Sequence, residues 1–69
     1  MNNNVKNIRQ RKGITITELS KLTGISRTTI YKLEEQNNNP SLDTIVKISS
    51  GLKEKPEKIF KLSVIQELQ

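Results

Sequence analysis

The chain has 69 residues, no cysteine, no histidine and a formal net charge of +5 at pH 7. That length allows one domain, near the lower limit at which a core stabilises itself unaided. The missing residue types exclude disulfides, thiolate or imidazole zinc sites, cysteine nucleophiles and histidine general bases.

The opening residues Met1-Asn2-Asn3-Asn4-Val5-Lys6 hold no apolar signal-peptide core, and no apolar run approaches a membrane span, so the cytosol is the expected location. From there the chain reads as all helix. Val5 and Ile8 give helix 1 (roughly residues 3–12) an apolar stripe, and Gly13 after Arg11 and Lys12 is a favoured stop. Thr15 can cap helix 2 and complete a capping box with Glu18, while Ile14 and Leu19 stand at hydrophobic-staple positions. Thr23-Gly24-Ile25-Ser26 forms the next turn. Ser26 caps helix 3, and Ile25 with Ile30 repeats the staple spacing. Glu35-Gln36-Asn37-Asn38-Asn39-Pro40 is a polar loop, in which asparagine tolerates the left-handed conformation.

Ser41 can cap helix 4, with Asp43 in its first turn. Pro56 suits the first position of a short helix 5. The expected core is Val5, Ile8, Ile14, Leu19, Ile25, Ile30, Leu33, Leu42, Ile45, Val46, Ile48, Leu52, Ile59 and Phe60. The domain is therefore expected to span residues 1–60. Residues 61–69 form a C-terminal tail whose Leu62, Val64, Ile65 and Leu68 fit either a helix or a strand and suit a dimerisation segment.

Two capped helices of about eight residues each would not be stable alone, so their double capping points to a defined angle between them. That is the layout of a helix-turn-helix, which places its second helix in a DNA groove. Charge falls in the same half of the chain. Residues 1–33 hold Lys6, Arg9, Arg11, Lys12, Lys21, Arg27 and Lys32 against Glu18, a net of +6, whereas residues 34–69 carry a net of −1. Such asymmetry suits a surface that meets phosphates, and a solubilising surface would produce the same tally. With Ile30 and Leu33 inward, Thr28 and Lys32 point most nearly outward, Tyr31 lies to one side, and Arg27 leads at the N-terminal end.

The ordered set Val5-Lys6-Asn7-Ile8-Arg9, Gly13-Ile14-Thr15, Glu18-Leu19-Ser20, Gly24-Ile25-Ser26-Arg27-Thr28-Thr29-Ile30, Leu33-Glu34, Asn39-Pro40-Ser41-Leu42 and Ile59-Phe60 resembles the Cro/CI-type (XRE-like, lambda-repressor-like) DNA-binding domain. The resemblance runs ungapped over residues 5–60. It implies a compact all-α, five-helix lambda-repressor-like bundle whose helix 3 lies in the major groove. It also implies base reading by Arg27, Thr28, Tyr31 and Lys32, in keeping with their chemistry. Arginine and lysine reach guanine acceptors, threonine bonds a base edge or touches a thymine methyl, and tyrosine packs on sugar or methyl groups.

Phosphate contacts are implied at Thr15 and Ile16, near Ser26 and Thr29, and at Asn37, Asn38 and Asn39, where a purely conformational role for the loop is the alternative. Arg9 and Glu34 occupy positions of a structural ion pair between helices 1 and 3; two solvated charges are the other reading. Three departures stand out. Ile16 replaces a phosphate-touching glutamine, Gln36 and Lys53 replace glycines at helix ends, and Leu22-Thr23 reverses a polar-then-apolar order, leaving Leu22 as an exposed apolar spot.

The function these features imply is a transcriptional regulator, in the simplest case a repressor, that binds a two-fold operator as a homodimer with half-sites about 34 Å apart. The alternative is an antitoxin-like or other protein-interaction module, whose partner protein would meet Leu22 or the tail. An enzyme is not expected. Glu34-Glu35 is the only adjacent acidic pair, and consecutive helical residues diverge by about 100°. No cofactor, metal or membrane is called for.

Overall fold

A computed structural model of the protein describes residues 3–35 and 40–60. The tail at 61–69 and the loop residues Asn37, Asn38 and Asn39 lie outside the described residues. Five helices follow one another: α1 (Val5–Arg11), α2 (Ile16–Thr23), α3 (Arg27–Glu34), α4 (Leu42–Leu52) and α5 (Pro56–Ile59). The second packs against the third and fourth, α1 lies across α3 and α4, and α5 closes onto α4.

Each boundary has a local chemical cause. α1 ends where Gly13 takes φ +70°, and the amides of Gly13 and Ile14 bond back to Gln10 and Arg9. It starts at Val5 rather than near residue 3. Asn3 instead pairs antiparallel with Phe60, and its side-chain carbonyl accepts the Val5 amide. The Asn4 amide donates to Ile59 at 2.7 Å, and Asn3 Nδ2 donates to the Leu33 carbonyl at 2.9 Å. These bonds fasten the start of the chain to α5 and to the end of α3.

Thr15, Ser26 and Ser41 each accept the amide three residues on and so cap α2, α3 and α4. Thr15 and Glu18 form the full capping box. Pro56 opens α5, whose Ile59 is buried along with Phe60 just beyond it. At the end of α4 the left-handed position falls on Lys53, with φ +55°, and the Glu54 amide still bonds back to Ser49. The helix therefore closes in the ordinary way although a glycine is missing.

The core comprises Val5, Ile8, Leu19, Ile25, Ile30, Leu33, Ile45, Ile48, Leu52, Ile59 and Phe60, with Ile14 and Ile16 packed at its margin. Three expected members are not in it: Ile14 is only at the margin, and Leu42 is 54% exposed and Val46 52%. At 100° per residue, α4 turns Ile45, Ile48 and Leu52 onto one arc and carries Leu42 and Val46 out of it. The inward place beside them belongs to Ser49, whose hydroxyl donates to the Ile45 carbonyl at 2.7 Å.

Candidate nucleic-acid interface

The turn between α2 and α3 is held by side chains as well as by its glycine. Gly24 adopts φ +74°, and its amide bonds back to Ser20. Thr23 Oγ1 donates to the Leu19 carbonyl at 2.8 Å and accepts the Ile25 amide at 3.1 Å, while Ser20 Oγ donates to the Ile25 carbonyl at 2.7 Å. Both backbone polar groups of Ile25 are thus satisfied from α2, and its side chain is sunk in the core. The angle at which α3 leaves the turn is set by these bonds. Thr23 has to face inward to make them, which puts its neighbour Leu22 in solvent at 60% exposure. The reversed Leu22-Thr23 order has its reason here. Ser20 and Thr23 escape a search for caps and apolar spacing, because hydroxyls placed to bond a turn look like ordinary surface polarity.

α3 buries Ile30 completely and Leu33 almost so. Its other faces present Arg27, Thr28 and Lys32 to solvent, with Tyr31 54% exposed. The four side chains expected to read bases therefore share the exposed surface of one helix. Among the described residues, neither Arg27 nor Lys32 has a carboxylate at ion-pair distance. Ser26 and Thr29 stand exposed at the start of α3, joined Oγ to Oγ1 at 2.9 Å, with the Thr29 amide donating to Ser26 Oγ.

At the start of α2, Thr15 is exposed and engaged in its capping box, and Ile16 is half-buried against the core. The Ile16 side chain is thus occupied by packing. The first amides of α2 are the groups there that helical geometry leaves without intrahelical acceptors.

Arg9 and Glu34 meet in a two-pronged contact, Nε to Oε2 at 2.7 Å and Nη2 to Oε1 at 3.2 Å, with both side chains nearly buried. The third guanidinium nitrogen donates to the Ile14 carbonyl at 2.9 Å. One arginine on α1 thereby joins the last turn of α3 to the residue that precedes the α2 cap. Among the described residues no helix is long and apolar enough to cross a membrane.

The helix-turn-helix family's sequence profile matches residues 5–59. A Methanocaldococcus jannaschii protein named for HTH-type transcriptional regulation is 42% identical over 48 residues, which is 70% of this chain and 15% of that protein. The HTH-type transcriptional regulator SutR of Escherichia coli is 31% identical over 48 residues, or 27% of its length. The chain therefore spans well under a third of these relatives. Among solved structures, the restriction-modification controller protein C.AhdI of Aeromonas hydrophila superposes with a TM-score of 0.76 at 28% identity, covering 81% of this chain and 85% of that one. The wild-type controller protein C.Esp1396I gives 0.68 at 25% identity, covering 93% and 78%.

Proposed function

We propose that this chain, which belongs to the helix-turn-helix family, is a sequence-specific DNA-binding regulator of transcription. It acts as a homodimer on a two-fold operator in the cytoplasm and represses by occupying that site. The observation that carries the reading is α3 itself: Ile30 and Leu33 anchor one side, and Arg27, Thr28, Tyr31 and Lys32 stand together on the exposed side. Such a helix offers a major groove two cations, a hydroxyl and an aromatic ring while its back remains fixed to the core.

Phosphates would be held by the amides at the start of α2, by Ser26 and Thr29, and by the loop asparagines 37–39. Residues 1–60 serve as the binding domain and residues 61–69 as a C-terminal dimerisation segment. The controller proteins are matched over most of their length, which supports a regulatory role for these residues.

A random-site selection with the full chain tests the reading. Enrichment of an inverted repeat, with half-sites one helical turn apart, is expected; an unenriched pool overturns sequence-specific binding. Affinity for the selected site should fall steeply with salt, since phosphate contacts release counterions.

A further inference from the structure

We infer that the recess between α1 and α5 is a binding site for a small organic phosphate, a compact dianionic head carrying a short apolar body. The recess has a volume of about 340 Å³ and is lined by Asn4, Ile8, Arg11, Lys12, Glu54 and Lys58. That size suits a small metabolite. Ile8 shares one face of α1 with Arg11 and Lys12, three and four residues further on. Because Ile8 is buried and the two cations are exposed, the recess has an apolar floor with positive charge at its edge. Lys58 supplies a third cation from α5.

Two links tie the walls to one another. Lys12 Nζ meets Glu54 Oε1 at 3.3 Å, and Asn4 Nδ2 donates to the Lys58 carbonyl at 3.3 Å. The lining carries Arg11, Lys12 and Lys58 against Glu54, a net of +2. Among the described residues neither Arg11 nor Lys58 has a carboxylate at ion-pair distance, so two of the cations are left for a ligand. One phosphate dianion balances that charge, a guanidinium holds two of its oxygens at once, and a carbon body beside the head covers Ile8. A dicarboxylate divides the same charge between two ends and leaves less carbon for Ile8. No described residue of α2 or α3 lines the recess, so a bound phosphate leaves Arg27, Thr28, Tyr31 and Lys32 free.

Titration of the full chain with phenyl phosphate, inorganic phosphate and succinate at low salt, followed by two-dimensional nitrogen-15 NMR, tests the site. Saturable shifts at Asn4, Ile8, Arg11, Lys12, Glu54 and Lys58 are expected, with phenyl phosphate the tightest of the three. Arg11→Gln and Lys58→Gln alter exposed side chains, and each should weaken binding about threefold to tenfold. Glu54→Gln removes the one carboxylate of the lining and should tighten it. Arg27→Ala and Lys32→Ala should leave it unchanged. The same spectra report whether each variant keeps its fold. Shifts that never saturate, or that centre on α3 and vanish in Arg27→Ala and Lys32→Ala, would overturn the site in favour of general attraction to a basic surface. Binding unchanged in both Arg11→Gln and Lys58→Gln would overturn it as well. Inorganic phosphate or succinate that binds as tightly as phenyl phosphate would overturn the organic phosphate as its ligand.

Discussion

Gly51 lies inside α4, where glycine normally costs about 1 kcal/mol relative to alanine. Here the missing side chain is what allows α4 to approach α2: a Cβ at this position would stand 2.5 Å from Thr23 Cγ2 and 3.5 Å from Leu19 Cδ1. The Thr23 methyl cannot swing aside without breaking the two bonds of its hydroxyl to the turn. Gly51→Ala is therefore expected to lower stability by about 1–2 kcal/mol in a urea melt, against its helix propensity. An unchanged midpoint would show that the two helices slide apart freely. Lys53 presents the opposite case, a side chain in the left-handed region where glycine is favoured. Lys53→Gly should raise stability by about 0.5–1 kcal/mol by the same measurement. The sequence marks Lys53 as a departure, since a glycine is expected there. It does not mark Gly51, because what that residue avoids belongs to another helix.

Caps and staples are local devices, and for this reason the starts of α2, α3, α4 and α5 can be read from Thr15, Ser26, Ser41 and Pro56 without coordinates. The start of α1 cannot, because Asn3 and Asn4 are drawn away by Phe60 and Ile59, which are distant in sequence. α4 shows a second limit. Five aliphatic residues at helical spacing cover a wider arc than one packed face, and the choice among them is made by what lies against the helix. Leu42 and Val46 fall outside that face. The elements are also tied to one another through Arg9, which grips Glu34 with two nitrogens and Ile14 with the third. Glu34→Ala would leave a nearly buried guanidinium without its carboxylate and should cost about 3 kcal/mol, read as a lowered urea midpoint. Arg9→Lys should recover only part of what Arg9→Ala loses, because an ammonium cannot make the forked contact.

For the molecule as a whole, the described residues divide the labour between helices. Asn3 and Asn4 join the start of α1 to the end of α5, the α2–α3 turn sets the angle of α3, and α4 supplies Ile45, Ile48 and Leu52 to the core from one side while exposing two aliphatic residues on the other. The +6 charge of residues 1–33 falls in the half of the chain that holds the turn and α3, which under the proposed reading would draw that half toward DNA phosphates. The candidate reading surface was legible because amphipathic spacing determines which side chains of a short helix stay outside. Which base each of them meets was not, because that depends on the DNA and on the spacing between two copies. The central claim is that α3 reads sequence through its exposed side chains. Titration of Arg27→Ala and Lys32→Ala against the selected operator and against unrelated DNA tests it most directly. Each variant is expected to lose about 1–3 kcal/mol on the operator and distinctly less on unrelated DNA. Operator affinities that match the unsubstituted chain in both variants would contradict it.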